Sequence, residues 1–404
     1  MRRELDICIV GGGPAGMMAG LLFARAGLQV LVLEKHHDFL RDFRGDTVHP
    51  STLELFHELG LLDRLLARHH NKVRQLGARI GGKNVMIADF SHLPVAAPYI
   101  ALMPQWDFLD FVAEIARGYA GFTLRQSCEA IGLIEEGARV AGVRTRDGEE
   151  FRARLVLGCD GRDSHFRAGL PQTIVGAPMD VLWFRITKRA QPENETMGVF
   201  DTGRIFVLID RGDYWQCAYV FPKGQGEAVK AEGFDRFKAR VCEVGPETAA
   251  IDESVKSWDD VKLLTVTVDR LETWHRPGLL LIGDAAHAMS PIGGVGINLA
   301  IQDAVATANL LAGPMAAGED PDPLLHRVRD RRIGAVRITQ AMQKLVQDDV
   351  IAPVLAASEP LSGPPLVARL LDRIALLRRI PARVVGLGVR PEHVRSPEAN
   401  GQVL

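Results

Sequence analysis

The first forty residues combine two short, continuous apolar runs with a stretch of small and apolar residues at helical spacing. Residues 6–10 and 29–33 each consist of one polar residue, Asp6 or Gln29, followed by four apolar ones, which is typical of strands buried on both faces of a sheet. Residues 17–26 lie between them and predict a helix. The chain therefore begins with a strand–helix–strand unit of the kind that builds a parallel sheet.

Helical spacing returns between residues 47 and 67, where Gly60 divides the pattern into two predicted helices. Residues 108–116 predict another helix. Residues 139–146 and 150–157 flank Asp147-Gly148 and predict a β-hairpin. This part of the chain continues the mixed α/β pattern.

The pattern changes between about residues 170 and 275, where short β-rich runs such as 204–209 and 214–221 are bounded by Gly, Pro and Asp. A second, sheet-containing domain is the simplest explanation. Residues 279–282 then predict a buried strand, and residues 296–311 a long helix. A linker at 313–323 precedes two further predicted helices and a tail.

Composition places the chain among ordinary globular proteins: of its 404 residues 47% are hydrophobic and 24% charged, and the net charge is −2. There is no basic surplus, so nucleic-acid binding is not expected. The uncharged run 7–24 is interrupted by three glycines and a proline, which argues against a membrane span or signal peptide. The five cysteines are widely spaced and include no CxxC pair, so neither disulfides nor a zinc site is expected. This cysteine usage suits a protein of the reducing cytoplasm.

Gly11, Gly13 and Gly16 form a GxGxxG motif between the first predicted strand and helix, and Glu34 ends the next strand. Glycines allow a pyrophosphate to approach the backbone, the helix start supplies N–H groups, and the acid accepts a ribose hydroxyl. An acid at the ribose disfavours a 2′-phosphate. The motif therefore predicts bound FAD or NAD rather than NADP.

Two other predicted strands also end in an acid beside a glycine, at Asp160-Gly161 and Gly283-Asp284. Ligands of open α/β sheets lie beyond the carboxyl ends of the strands, so both acids can bind a polyol. Residues 293–298 supply a second glycine-rich helix start suited to an anionic oxygen.

These blocks, in this order, resemble the single-component (class A) flavin-dependent aromatic hydroxylases, the p-hydroxybenzoate hydroxylase-like family. The resemblance covers about residues 4–345. It includes Arg44-Gly45, the segment 48–54, the segment 159–164, Gly283-Asp284-Ala285-Ala286-His287, Pro291 and Gln302-Asp303. It implies that Glu34 holds the adenosine ribose, that Asp284 holds the ribityl chain, and that Arg44 and Gln105 contact FAD.

The resemblance also implies a fold and a full set of cofactor residues. We expect an α/β fold in which a Rossmann-like FAD-binding domain with a mixed or parallel sheet (1–75, 106–170, 276–345) carries an inserted β-rich substrate domain (76–105, 171–275) and a C-terminal helical segment and tail (346–404). The predicted cofactor-binding residues are Gly11, Gly13, Pro14, Ala15, Gly16, Glu34, Lys35, Arg44, Gln105, Asp160, Gly161, Gly283, Asp284, Pro291, Gly294, Val295, Gly296, Ile297 and Asn298.

The activity implied by this resemblance is hydroxylation of a phenolic or other aromatic substrate with NAD(P)H as a transient cosubstrate and O2, through a flavin C4a-hydroperoxide. The cofactor carries the difficult chemistry, and no catalytic residue is assigned. A flavin-dependent reductase or dehydrogenase, a halogenase, and a non-enzymatic flavoprotein redox sensor remain alternatives. Lack of a WxWxIP string disfavours the halogenase.

The sequence departs from the family pattern at Ser290 and Val295, and it offers no evident acid or arginine for a substrate. Residues 214–221 predict a strand with one aromatic face. This face is expected either to pack in the ordinary core or to form the wall of a substrate pocket. His287 is expected to be structural, and the adjacent histidine pairs 36–37 and 69–70 do not predict a metal site.

The segment beyond residue 351 is basic, and its apolar residues follow one helical stripe. Packing over the core or a homodimer contact is the expected role of this stripe. Peripheral membrane contact is the alternative.

Overall fold

The computed structural model describes residues 5–40, 47–188, 197–244 and 248–399. The strands in chain order are β1 (Leu5–Val10), β2 (Val30–Leu33), β3 (Thr47–Val48), β4 (Asn71–Val73), β5 (Gln75–Ile80), β6 (Lys83–Asp89), β7 (Ile100–Leu102), β8 (Phe122–Arg125), β9 (Ala130–Glu136), β10 (Arg139–Thr145), β11 (Glu150–Gly158), β12 (Gln172–Ile174), β13 (Met179–Thr187), β14 (Met197–Asp201), β15 (Arg204–Asp210), β16 (Tyr214–Pro222), β17 (Lys262–Leu264), β18 (Asp269–Leu271), β19 (His275–Arg276), β20 (Leu279–Leu281) and β21 (His287–Ala288).

The helices lie between these strands in the sequence, and further helices follow the last strand. In chain order they are α1 (Pro14–Arg25), α2 (Pro50–Glu58), α3 (Leu62–Leu66), α4 (Gln105–Arg117), α5 (Gly226–Ala231), α6 (Phe234–Cys242), α7 (Ile251–Ser254), α8 (Val295–Ala316), α9 (Leu325–Val346), α10 (Ala352–Ala356), α11 (Leu366–Arg373) and α12 (Arg379–Gly386).

The first sheet has the strand order β19-β20-β11-β1-β2-β8, and β20, β11, β1, β2 and β8 run parallel. Ile7 of β1 pairs with Leu155 on one side and with Val30 on the other, and these side chains are buried. The predicted hairpin forms as β10 and β11, and β9 extends it. Helix α1 packs against both α4 and α8. The predicted α/β fold with a mixed, largely parallel sheet is confirmed.

The second large sheet has the order β17-β13-β16-β15-β14-β5-β6 and carries different partners on its two faces. The face of β16 with Trp215, Cys217, Tyr219 and Phe221 packs on residues of α5, α6 and α7 in a buried apolar cluster. Of the two alternatives for this aromatic face, the structure therefore shows ordinary core. The opposite face contacts the loop that precedes α8, through Ile292.

The two sheets come from chain segments that broadly follow the expected division. Strands β5 and β6 lie in the second sheet beside strands that come later in the chain. The exact domain boundaries given by the sequence stay a prediction.

The C-terminal segment differs from the sequence-based expectation in two ways. Two helices were predicted after the linker, whereas the structure has four up to residue 399, because a π-helical turn and two breaks divide the segment. The predicted apolar stripe does not pack over the core: Leu366, Val367, Leu370 and Ile374 are exposed, and α11 instead buries Ala368 against β5 and β6. The expectation that this stripe packs on the core is wrong because the buried side of α11 is its small-residue side.

The tail that follows α12 returns to the first sheet and its helices. Arg25 of α1 donates to the Ser396 carbonyl at 3.0 Å, and Arg331 of α9 forms an ion pair with Glu392 at 2.6 Å. These contacts fasten the end of the chain across the helices that cover the first sheet.

The helical stretch Ile292–Ala316 is long and apolar enough to cross a membrane by length and composition. It is the one stretch of the described residues that passes this test, and 72% of its most apolar window is buried inside the protein. It packs on α1 and α9, as a core helix does.

Candidate cofactor and active site

The candidate site lies where the carboxyl ends of four neighbouring parallel strands, β20, β11, β1 and β2, reach the same edge of the first sheet. Backbone hydrogen bonds continue between these strands to their ends, with Cys159 N donating to Val10 O at 2.7 Å and Ile282 N to Gly158 O at 3.1 Å. The structure therefore brings three distant turns and one acid together, namely Gly283-Asp284, Asp160-Gly161, Gly11–Gly13 and Glu34.

The glycine turn after β1 uses its glycines for two different purposes. A Cβ at Gly11 would lie 2.4 Å from the Cys159 carbonyl oxygen, and one at Gly16 would lie 1.9 Å from the Gly11 carbonyl oxygen. These glycines let the strand, turn and helix pack closely. A Cβ at Gly13 meets no atom within 4 Å, so Gly13 borders open space at the N-terminus of α1, where the helix dipole favours an anion.

Glu34, which follows β2, holds this turn in place through a hydrogen bond. Its Oε2 accepts a hydrogen bond from Gly12 N at 2.9 Å, and its Oε1 accepts one from His36 N at 3.0 Å. The side chain is buried, whereas the neighbouring Lys35 is exposed. Glu34 thus lies next to the glycine turn as predicted, and its contact with a ribose stays a prediction.

Asp160 follows β11 and presents an unpaired carboxylate oxygen. Its Oδ1 is buried and has no hydrogen-bond partner among the described residues. Burial raises the pKa of Asp160 even though the Ser164 side chain, which donates to it, opposes the shift. The next residue, Gly161, has φ +90° and open space where a Cβ would be. A buried, unpaired acceptor beside open space fits a ligand that carries hydroxyl groups.

Asp284 lies in the turn after β20 and faces the Asp160 segment. Gly283 adopts φ +61° there, and its N–H donates to Asp303 Oδ2 at 3.1 Å. Arg162 Nη2 contacts Asp284 Oδ2 at 3.2 Å, so an ion pair joins the segment 159–164 to the Gly283-Asp284 turn. The sequence did not indicate this role of Arg162, although the residue lies within the segment 159–164 that carries the family resemblance.

A fully buried charge network holds the Gly283-Asp284 turn in place. Asp303 Oδ2 lies 2.6 Å from His287 Nε2, and its Oδ1 accepts from Arg332 Nε at 2.8 Å. Burial alone would raise the pKa of Asp303, but His287 and Arg332 hold this pKa below its usual value. Arg332 in turn lies 3.5 Å from Glu392 of the tail. His287 thus makes the structural contact that the sequence suggested.

The glycine-rich loop before α8 is held by the segment that leads into α2. Gly293 and Gly294 have φ values of +74° and +62°, and Thr47 Oγ1 donates to the Gly294 carbonyl at 3.1 Å. A Cβ at Gly294 would lie 2.4 Å from that hydroxyl oxygen. The close approach of Thr47 therefore requires glycine at position 294.

Asn298 completes this attachment with its side chain. Its Oδ1 accepts from His49 N at 2.9 Å and from Thr52 Oγ1 at 2.8 Å, and its Nδ2 donates to the carbonyls of Thr47 and Gly294. The side-chain amide is therefore engaged within the protein. The predicted contact of Asn298 with a flavin would therefore be made by backbone atoms of this residue.

The remaining predicted residues divide into four groups. Pro14 and Ala15 open α1, and Ala15 packs against Gly283. Gln105 is the first residue of α4. Arg44 lies outside the described residues. The others lie in the loop before α8 and in its first turn, namely Pro291, Val295, Gly296 and Ile297.

His49 lies behind the glycine-rich loop and is almost fully buried. Its Nδ1 is 2.8 Å from the Val385 carbonyl oxygen of α12. Burial lowers the pKa of His49 to about 4, and the bond to Val385 opposes this shift only in part. The ring is therefore neutral near pH 7, with the proton on Nδ1 and an acceptor at Nε2.

This edge of the sheet fits an extended dinucleotide such as FAD. The open space at Gly13 suits a pyrophosphate, and the carboxylates of Asp160 and Asp284 suit a chain of hydroxyl groups. Among the described residues no group of three or more His, Cys, Asp and Glu side chains could hold a metal ion.

Comparisons with known proteins agree with this geometry. Residues 4–342 match the family model described as "FAD binding domain". The chain is 35% identical to 6-methylpretetramide 4-monooxygenase of Streptomyces rimosus, covering 92% of each chain, and 30% identical to rifampicin monooxygenase of Streptomyces venezuelae, covering 91% of this chain and 75% of that one. The fold is similar to crystalline p-nitrophenol 4-monooxygenase from Pseudomonas putida, with TM-score 0.77, 21% identity and coverage of 96% and 99%.

Replacing Asp303 by Asn should destabilise the protein by about 3–5 kcal/mol, because Arg332 loses the nearer of its two buried carboxylate partners. The Gly283-Asp284 turn should loosen, and the variant should retain less FAD after gel filtration. Urea unfolding and the visible spectrum measure the two effects. Asp348→Asn is the matched control, since Asp348 forms an exposed pair with Lys344 and should cost less than about 0.5 kcal/mol. Equal behaviour of the two variants would refute the role given to Asp303.

Burial of neutral His49 should make stability depend on pH. The folded-state pKa of about 4 lies below the unfolded value of 6.5, so the unfolded chain takes up the proton first as the pH falls. The contribution of His49 to the free energy of unfolding is fully present above pH 6.5. It should fall by about 3 kcal/mol between pH 6.5 and 4. His49→Asn can still donate to Val385 but does not titrate, so it should remove this part of the pH dependence. An identical slope in both proteins, measured by urea unfolding, would contradict the prediction.

Proposed function

This chain belongs to the FAD-binding domain family and is an FAD-dependent oxidoreductase of the aromatic monooxygenase type, and from this premise we propose that it hydroxylates a neutral, multi-ring phenol. NAD(P)H and O2 are the cosubstrates. Bound FAD supplies the redox chemistry. The residues of the chain bind the cofactor, orient the substrate against it and exclude water.

We assign the cofactor contacts along the sheet edge. Gly11, Gly13 and the N-terminus of α1 receive the pyrophosphate, Glu34 the adenosine ribose, and Asp284 the ribityl chain. The N-terminus of α8 would hold the flavin ring through its free N–H groups. Arg44 and Gln105 complete the predicted FAD contacts.

The substrate is assigned to the face of the second sheet that looks toward the loop before α8. Cross-strand partners share a face, so Val181 lies beside Val220 and Trp183 beside Ala218. Ile292 of the loop packs on the same apolar cluster. Trp183 Nε1 is buried and has no hydrogen-bond partner among the described residues. One unpaired donor in an apolar wall is the observation that supports a neutral aromatic compound with an oxygen acceptor.

Two features extend the proposal to multi-ring phenols. Gln216 is the buried polar residue of β16 on this face, and its amide oxygen already accepts from Arg211 Nε at 3.0 Å and Nη2 at 2.8 Å. Around Trp183 the side chains of this face are therefore apolar, whereas its cations, Arg185 and Arg211, lie beside Gln216. In addition, the relative that covers 92% of each chain is named for 6-methylpretetramide, and we extend that compound class to this protein.

The proposal is tested with the purified FAD-loaded enzyme, NADPH or NADH, and a panel of multi-ring phenols, single-ring phenols and aromatic acids. Multi-ring phenols should accelerate both NAD(P)H oxidation and oxygen uptake, and the product should carry one atom from isotopically labelled O2. Reduction of a compound without oxygen uptake would contradict the hydroxylase proposal and support a flavin-dependent reductase. No acceleration by any member of the panel would favour a redox sensor.

Trp183→Phe should raise KM for the active compound by about 3- to 10-fold while changing kcat less, because one hydrogen bond to the substrate is lost. Trp258→Phe is the matched control, since Trp258 packs on the opposite side of the sheet with Phe234 and Phe237. Steady-state kinetics with both variants measures the difference. Equal KM values would remove Trp183 from the substrate site.

We further propose that the enzyme is cytoplasmic and that α11 and α12 contact the surface of an anionic membrane. All five cysteines are free thiols, which suits a reducing compartment. The exposed apolar residues of this segment are interspersed with exposed arginines at positions 369, 373, 379 and 383. These arginines would repel one another across a symmetric dimer contact but attract anionic lipid. The apolar residues are Leu366, Val367, Leu370, Ile374, Leu376 and Ile380.

The double variant Leu366→Glu/Ile380→Glu should lose binding to vesicles of phosphatidylglycerol in a sedimentation assay. Phosphatidylcholine vesicles should bind the wild-type enzyme weakly. Leu345→Glu is the control, because Leu345 is as exposed but lies on α9. Unchanged sedimentation of the double variant, or a stable dimer that dissociates in it, would overturn the membrane proposal.

A further inference from the structure

A cavity lies behind the glycine-rich loop, between α8, α9 and the segment from α12 to the tail. It has a volume of about 140 Å³, and its walls are mainly apolar side chains, among them Val295, Leu299, Met342, Val346 and Val385. Gly388 and Pro391 at its border are exposed, so solvent molecules can reach it. The cavity uses a different side of α8 from the cofactor edge, where Ala300 packs against Gly283.

Three buried polar atoms among the residues that line this cavity have no partner within the described structure. They are His49 Nε2, Gln302 Nε2 and Arg332 Nη2, on side chains that are 1%, 4% and 1% exposed. Each of these side chains is fixed through its other polar atoms, to Val385, Glu392 and Asp303 respectively. Buried polar atoms in folded proteins are nearly always paired, so this group points to a ligand.

The chemistry of the three atoms defines that ligand. His49 Nδ1 donates to Val385, so Nε2 is an acceptor that needs a donor. Gln302 Oε1 accepts from Glu392 N, so its Nε2 is a donor, as is Arg332 Nη2. A single hydroxyl group can donate to the histidine and accept from a neighbouring donor.

Charge and size restrict the ligand further. Arg332 already lies beside the carboxylates of Asp303 and Glu392, and Arg331 also pairs with Glu392, so the charges at this wall balance. A neutral ligand is therefore favoured over an anion. An apolar cavity of roughly 150 Å³ holds one benzene ring, which is close to the space found here.

We propose that this cavity is a second ligand site, separate from the cofactor edge and from the sheet-facing substrate site, and that it binds a neutral single-ring phenol. The ring lies among the apolar side chains, and the hydroxyl group donates to His49 Nε2 and accepts from Gln302 or Arg332. Because Gly293 of the loop and Val295 at the start of α8 also line the cavity, an occupant touches the segment assigned to the flavin ring.

The direct test is a crystal of the FAD-loaded enzyme soaked with 4-bromophenol, in which anomalous scattering locates the bromine. The expected result is a bromine in this cavity and a hydroxyl oxygen at hydrogen-bond distance from His49 Nε2. Ordered water alone at the three polar atoms, or bromine at the sheet-facing site only, would overturn the proposal. Both outcomes leave the proposed hydroxylase activity untouched.

Calorimetric titration of the FAD-loaded enzyme with phenol, compared with toluene, tests the same site in solution. Phenol should bind and toluene should bind at least about 10-fold more weakly, because toluene cannot pair with the polar atoms. His49→Asn should weaken phenol binding by about 3- to 10-fold, since it removes the Nε2 acceptor. Equal affinities for phenol and toluene would argue against the assigned hydrogen bonds.

Two tryptophan substitutions on α9 separate this cavity from other sites. Met342→Trp should fill the cavity and abolish the binding of phenol measured by calorimetry. Ile338→Trp is the matched control, because Ile338 is exposed and does not line the cavity, and it should bind phenol as the wild type does. Unchanged phenol affinity in Met342→Trp would place the binding elsewhere and refute the proposal.

Discussion

The buried carboxylate of Asp303 is the interaction on which the arrangement of the site depends. A charge in the interior is tolerated only when cations and hydrogen-bond donors surround it, and here His287, Arg332 and the Gly283 N–H supply them. Each partner comes from a different element. The requirement to neutralise one carboxylate therefore fixes the turn after β20, α8 and α9 relative to one another, and Glu392 adds the tail to this group.

The direction of the strands explains why the cofactor residues meet. Four parallel neighbours necessarily end at one edge, so the turns that follow them become adjacent although they are far apart in sequence. This is also why so much of the site could be predicted. The GxGxxG turn, Glu34, Asp160 and Asp284 each follow an apolar run that is recognisable as a strand, and local rules are sufficient to place them.

Other features of the site could not be predicted because they depend on contacts between distant segments. Nothing in the local sequence of Arg162 shows that it pairs with Asp284, 122 positions away. The same is true of His49, whose neutral state follows from burial under α12. In the second sheet, the alternation along β16 correctly separated two faces, but it could not show that α5–α7 cover the aromatic one. In α11, the apolar stripe suggested core packing, whereas the small residue Ala368 allows the closer approach.

The convergence of distant turns has a consequence for biogenesis. Gly11 leaves the ribosome roughly 270 residues before Asp284, which at ordinary elongation rates of about 5–20 residues per second is a delay of roughly 15–55 s. Throughout that interval the nascent N-terminal unit presents a glycine turn whose other half does not yet exist. The turn that carries Asp284 is itself held by a charge network that includes Arg332 and Glu392, which are made later still, so the complete cofactor edge forms only after Glu392 has been synthesised.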